Sequence, residues 1–211
     1  TVFQGVRVNY SHQVHAVTIG PDSMLYVNIG DGLQSQTAQN LNDLRGKILR
    51  MTRDGQIPAD NPIPGSYIYA YGFRNPFGAT FRPGTSDLYI SDNGPNVDDR
   101  IVKVAPGSNY GWCCNMQQGA LITFNPTVAP TAMTFMPPGL LDAVFDNRLF
   151  LTFSGPTYDS GPANEKGKQI WSFAMDDTGG ISYSNLFIYY VGQGFGTCVG
   201  LAPGDDGLYF T

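Results

Sequence analysis

Positive charge is scarce in this chain: 12 Lys and Arg stand against 17 Asp and Glu, for a formal charge of -5. A surface so short of cations has no patch to neutralise a run of phosphates, which argues against nucleic acid and anionic membranes as partners and leaves small neutral or cationic molecules. Long apolar runs are missing as well. No stretch approaches the roughly eighteen consecutive apolar residues of a spanning helix, so membrane insertion is not expected. Cysteine is limited to three residues, too few for a disulfide-framework mini-protein. Adjacent Cys113 and Cys114 with distant Cys198 allow one long-range bridge and a leftover thiol, or three buried thiols. Histidine occurs only twice, as His12 and His15. The first residues, Thr1 to Val6, carry neither a charged region nor an apolar stretch and do not read as a signal peptide, as expected of a mature or cut chain. Asn9-Tyr10-Ser11 is a glycosylation sequon, whereas Asn125-Pro126-Thr127 is blocked by its proline.

What is abundant is turn-forming and strand-forming residues. There are 26 Gly and 15 Pro, 42% of residues are apolar and 13% are aromatic, a balance suited to short strands joined by tight turns. One pattern recurs: a turn of Gly, Pro or Asp, then a short apolar strand with an aromatic residue. It runs through Ile19 to Val27, Phe81 to Ile90, Phe145 to Leu151 and Ala202 to Phe210, with markers Tyr26, Tyr89, Phe150 and Tyr209 about sixty residues apart. Between them Gly46 to Met51, Arg100 to Val104 and Gln169 to Met175 read as outer strands of the same units, and only Thr37 to Leu44 looks helical. The expectation is an all-β fold in one domain, residues 1–211: a β-propeller, six-bladed when complete, of which this chain supplies roughly three to four blades. A β-sandwich of the same composition needs no such period. On this reading the remaining blades come from a missing or separate part of the protein.

The motifs around these strands resemble a known family. His12-Gln13, Ile19-Gly20-Pro21-Asp22 and Ile29-Gly30-Asp31 are followed by Arg45-Gly46-Lys47-Ile48-Leu49-Arg50, Asp54-Gly55-Gln56-Ile57-Pro58 and Asp60-Asn61-Pro62. Gly72-Phe73-Arg74-Asn75-Pro76, Asn93-Gly94-Pro95-Asn96-Val97-Asp98-Asp99 and Asn109-Tyr110-Gly111-Trp112 then complete a block. In order and approximate spacing it resembles the soluble pyrroloquinoline-quinone (PQQ) dependent glucose and aldose sugar dehydrogenases. The likeness covers residues 12 to about 112; beyond it only the strand pattern continues.

The resemblance implies roles. Oxidising a sugar hydroxyl with a quinone requires a base, a polarised quinone carbonyl and a positioning pocket. His12 matches the base, because the family places it ten residues before the Asp of Gly-Pro-Asp; His15 falls where the family often has Gly. Asp31 matches the carboxylate that orients the base, or is a turn residue of Gly-Asp-Gly. Arg74 and Asn75 match contacts to the quinone's acidic and carbonyl oxygens, a task suited to a guanidinium fork. Gly94 and Pro95 match positions whose backbone carbonyls hold the bridging calcium. Lys166 matches a cofactor-contacting lysine, with Lys168 an equal candidate. Two departures stand out. Arg100 occupies a place where Glu is common, which speaks against a second calcium at Asp98 and Asp99, and Gly196-Thr197-Cys198-Val199-Gly200 lacks the arginines expected near the quinone carboxylates.

The function implied is therefore a secreted or periplasmic oxidoreductase that oxidises sugars or polyols with PQQ and calcium and passes electrons to an acceptor protein or dye. The alternative is a non-catalytic binding propeller, as in the related domain of Hedgehog-interacting proteins. A hydrolytic propeller of the lactonase type has no motif here.

Overall fold

The computed structural model describes residues 2–6, 11–155, 168–190 and 197–211. The architecture is all-β. Strands β1 (Val14–Ile19), β2 (Leu25–Ile29), β3 (Lys47–Met51) and β4 (Ile68–Tyr71) form one antiparallel sheet in sequence order. Strands β5 (Pro76–Phe81), β6 (Leu88–Asp92), β7 (Asp99–Val104) and β8 (Ala120–Phe124) form a second. A third comprises β9 (Pro130–Phe135), β10 (Leu149–Phe153), β11 (Gln169–Met175) and β12 (Ile181–Tyr189), and β13 (Leu201–Pro203) pairs with β14 (Leu208–Phe210) as a separate hairpin. The first strands neighbour one another in series, β1 against β5, β5 against β9, and β9 against β13. β5 and β9 each open on a proline, a residue tolerated at a strand's first position because it cannot donate into the ladder.

The aromatic markers each lie in the second strand of a unit: Tyr26 in β2, Tyr89 in β6, Phe150 in β10 and Tyr209 in β14. The first three are buried, because sheets cover one another on both faces. Tyr26, Ile48 and Ala70 of the first sheet pack with Leu88, Ile90 and Val102 of the second. On the second sheet's other face, Tyr89 and Ile101 meet Met133, Phe135, Leu149 and Leu151 of the third. Burial on both faces explains why these strands read as nearly continuous apolar runs and not as alternating ones. Tyr209 differs. It is 59% exposed, because among the described residues no sheet covers its side of the hairpin.

Two details of the sequence reading change. Gly46 to Met51, Arg100 to Val104 and Gln169 to Met175 become third strands, each flanked by a further, less buried strand (β4, β8, β12) that is the true outer edge. The Thr37 to Leu44 segment is not an α-helix; a single 3-10 turn covers Ser35–Gln39. Lys47 holds that turn. Fully buried, its Nζ donates to the carbonyls of Thr37 (2.7 Å), Ala38 (3.1 Å) and Arg45 (2.6 Å).

Candidate active site

In an antiparallel pair, the start of the first strand and the end of the second share one corner. Val14 of β1 pairs with Ile29 of β2, and Pro76 of β5 pairs with Asp92 of β6. His12 and Asp31 therefore flank the corner of the first sheet, and Arg74, Asn75 and Gly94 flank the equivalent corner of the second. The two corners are joined by a backbone bond from Asp31 N–H to the Arg74 carbonyl, 2.8 Å.

His12 is held by its neighbours on both backbone and side chain. Gly32 N–H donates to the His12 carbonyl (3.2 Å) and Gly30 N–H to the Gln13 carbonyl (2.9 Å). A Cβ on Gly30 would lie 2.5 Å from the His12 carbonyl oxygen, so only glycine admits this approach. The imidazole Nδ1 lies 2.7 Å from Asp31 Oδ1. With the proton on Nδ1 donated to the carboxylate, Nε2 carries the lone pair of a base. Asp31 also accepts from the Leu33 N–H (2.9 Å, on Oδ1) and from Trp112 Nε1 (2.7 Å, on Oδ2). Burial pushes this carboxyl up, but the bonds from His12, Trp112 and Leu33 outweigh it and hold Asp31 below the usual carboxylate range. Beyond its place in the turn, the Asp31 carboxyl thus joins the His12 ring to the Trp112 ring.

Arg74 is aimed at the same corner. Its NH1 donates to the carbonyls of Asn93 (3.1 Å) and Gly94 (2.8 Å), and its guanidinium lies 5.6 Å from the centre of the Trp112 ring. Burial lowers its affinity for the proton, while Asp31, Asp92 and Asp99 oppose that. Asn75 is fixed from the side by His15, whose Nε2–H donates to Asn75 Oδ1 at 2.6 Å. His15 stacks on Phe77 with ring centres 4.2 Å apart. Burial, and to a lesser degree His12, lower the His15 pKa against the opposing pull of Asn75 and Asp92, favouring the neutral ring.

Two buried acids organise the second corner. Asp92 accepts from the backbone N–H of Asn75 (2.8 Å) and of Arg74 (3.2 Å), and pairs with fully buried Arg100 at 2.7 Å. Asp99 accepts from the N–H groups of Gly94, Val128 and Ala129, all at 2.7 Å. Burial nonetheless raises its pKa to about 6. Arg100 fills the position where a Glu was expected, and it works as a clamp: its NH1 donates to the carbonyls of Tyr110 (2.6 Å) and Met116 (2.7 Å), and its NH2 to that of Gly72 (3.1 Å). It thereby holds the loop that presents Trp112 to Asp31.

Of the residues proposed from sequence, His12, Asp31, Arg74, Asn75 and Gly94 converge on these two joined corners. Pro95 follows Gly94 and is exposed, and Lys166 lies outside the described residues. His15, Trp112, Asp92, Asp99 and Arg100 escaped selection as site residues. Trp112 ends the Asn109-Tyr110-Gly111-Trp112 motif, and its bond to Asp31 spans 81 positions. For His15, the signal was available: a second histidine three residues after the presumed base, where a glycine is common. Among the described residues no group of three or more His, Cys, Asp or Glu could hold a metal, so a cation at this corner would rely on backbone oxygens. The Gly94 carbonyl fits that role in kind, being a hard oxygen already turned toward a cation, Arg74.

Comparison with known proteins now bears on this corner. Residues 4–123 match the profile of the glucose/sorbosone dehydrogenase family. The chain belongs to this family. Quinoprotein glucose dehydrogenase B of Acinetobacter calcoaceticus is 38% identical over 130 residues, covering 51% of this chain and 27% of that protein. The aldose sugar dehydrogenase YliI of Escherichia coli K12 is 39% identical over 93 residues, 42% of this chain and 25% of its own length. The PQQ-bound aldose sugar dehydrogenase of Streptomyces coelicolor superposes on 99% of this chain and 58% of its own, with a TM-score of 0.80 at 26% identity. The matches thus span about a quarter of these two curated glucose/sorbosone dehydrogenase relatives. The corner lies largely within the family-matched region.

Proposed function

We propose that this chain carries the base side of a PQQ- and calcium-dependent dehydrogenase for sugars or polyols, acting in a secreted or periplasmic setting. The chain would supply three blades and the inner hairpin of a fourth to a six-bladed propeller, with the remaining blades contributed by another part of the protein. The observation that carries the reading is the relay Trp112–Asp31–His12 beside Arg74 and Asn75. It combines a base, its orienting carboxylate, a cation and an amide donor at one edge of two neighbouring sheets.

In this reading His12 Nε2 takes the proton of the substrate hydroxyl, and the Asp31 carboxylate stabilises the imidazolium that results. Trp112 and the Leu33 N–H keep Asp31 ionised and oriented. Asn75, whose Oδ1 is engaged by His15, turns its NH2 away from that ring and toward an acceptor such as a quinone carbonyl oxygen. Arg74 supplies a planar cation for a carboxylated, flat ligand. PQQ, when bound against Arg74 and Asn75 with calcium on the Gly94 and Pro95 carbonyls, would supply the two-electron acceptor for the hydride. An acceptor protein or a dye would then take up the electrons.

The test is reconstitution of the complete protein with PQQ and calcium, followed by dye reduction across a panel of sugars. Turnover that falls by about 10²-fold or more in His12→Ala supports the assignment; absence of turnover in the wild type with every sugar removes it. A second reading, a non-catalytic binding propeller, draws on the segment Thr197-Cys198-Val199-Gly200, which brings no cation to the quinone side. Equilibrium binding of PQQ separates the two, because a binding module of that kind takes up none.

A further inference from the structure

The loop that carries Trp112 continues into Cys113 and Cys114, whose sulfurs lie 3.1 Å apart. Neither belongs to the relay described above. Cys114 is exposed and Cys113 half-buried, whereas Cys198 is buried elsewhere. We propose that Cys113 and Cys114 form a vicinal dithiol site that closes reversibly to a disulfide with a two-electron oxidant of the peroxide class, and that in its reduced form chelates trivalent arsenicals.

The geometry comes from backbone restraint on both sides of the pair. Before it, Trp112 N–H donates to the Gly72 carbonyl (3.0 Å), and Gln39 Nε2 donates to the Trp112 carbonyl. After it, the N–H groups of Cys114 (2.8 Å) and Asn115 (2.9 Å) both donate to the Gly111 carbonyl, closing a tight turn. Arg100 fixes the carbonyls of Tyr110 and Met116 on the two flanks. With the main chain held this way, the sulfurs have little conformational entropy left to lose on joining, and they start within about 1 Å of the roughly 2.05 Å of a disulfide. Exposure of Cys114 admits the oxidant.

The chemistry balances without any cofactor. A thiolate attacks one oxygen of hydrogen peroxide, the O–O bond breaks, and a sulfenic acid and water result. The neighbouring thiolate attacks the sulfenic sulfur, an S–S bond forms and a second water leaves. Two thiols lose two electrons and two protons, and one peroxide becomes two waters. Because only the thiolate attacks, and the contact with Cys113 holds the Cys114 thiol above its ordinary range, oxidation accelerates as pH rises. Neighbouring Cα atoms are about 3.8 Å apart, below the usual span of roughly 4.4–6.8 Å for bridged cysteines, so the ring is strained and easily reopened by a dithiol. That places the pair among labile, switchable disulfides and not among structural ones.

The experiment needs no PQQ, so its outcome is independent of the dehydrogenase reading. The complete protein, reduced and then treated with hydrogen peroxide, is digested and the peptide containing residues 113 and 114 is weighed. Loss of two hydrogens without added oxygen, restored by dithiothreitol, is the expected result. In parallel, phenylarsine oxide should bind one per chain to the reduced protein, with affinity falling by about a hundredfold or more in Cys114→Ser and unchanged in Cys198→Ser. If peroxide adds only oxygen to these sulfurs or links separate molecules, or if Cys114→Ser leaves arsenical binding unchanged, the proposal is overturned.

Discussion

Replacing Arg100 by Met gives the most demanding test of how the site is held. Methionine fills much of the same volume but donates no hydrogen bond. The substitution strips Asp92 of a fully buried guanidinium whose Nε and NH2 lie 3.1 and 2.7 Å from Oδ2. The carboxylate keeps only the backbone N–H groups of Arg74 and Asn75. Four carbonyls, those of Gly72, Tyr110, Met116 and Gln118, lose the guanidinium at the same time, and of these Gly72 still accepts from the Trp112 N–H. Removing one partner of a buried ion pair costs about 3–5 kcal/mol, mostly from the uncompensated charge left behind. Urea midpoints and thermal melts of the complete protein measure it. Asp92→Asn should also destabilise, and the double variant should fall short of the summed single losses by about 0.5–3 kcal/mol, as groups in one network do. An Arg100→Met protein within about 1 kcal/mol of wild type, or strict additivity in the cycle, would refute the clamp.

Two further outcomes follow from the same corner. Asp99 has its pKa raised to about 6 by burial, so its contribution to stability is fully present below the unfolded value near 4 and is lost as pH rises through about 6. Asp99→Asn should flatten the fall in stability across that window, by roughly 3 kcal/mol of differential effect, and equal slopes in urea titrations of both proteins at pH 4 and 7 would contradict this. For His15, substitution by Ala frees the Asn75 amide to rotate. PQQ affinity measured by equilibrium titration is expected to weaken about 5- to 10-fold, the worth of one hydrogen bond, and an unchanged affinity would show that Asn75 holds its orientation without the ring.

Much of this protein can be read along the chain because its information is local. A turn followed by an apolar strand with Tyr26, Tyr89, Phe150 or Tyr209 marks each second strand, and the motifs around His12, Asp31, Arg74 and Gly94 lie at the turns that begin or end those strands. The outer strands β4, β8 and β12 were hidden for a physical reason. At the sheet edge they are only partly covered, but their residues are as apolar as those of the buried third strands, so nothing along the chain marks which apolar strand lies outermost.

Tertiary structure alone decided which polar groups meet. Trp112 reaches Asp31 and His15 reaches Asn75 across 81 and 60 positions, and nothing within either segment specifies the partner. Arg100 is the sharpest case. In sequence it was a cation standing where an acid was expected, and so an argument against a second calcium. In the folded chain it is a buried clamp on Asp92 and on the loop bearing Trp112 and the two thiols, because burial makes a lone Asp92 charge too costly to leave unpaired.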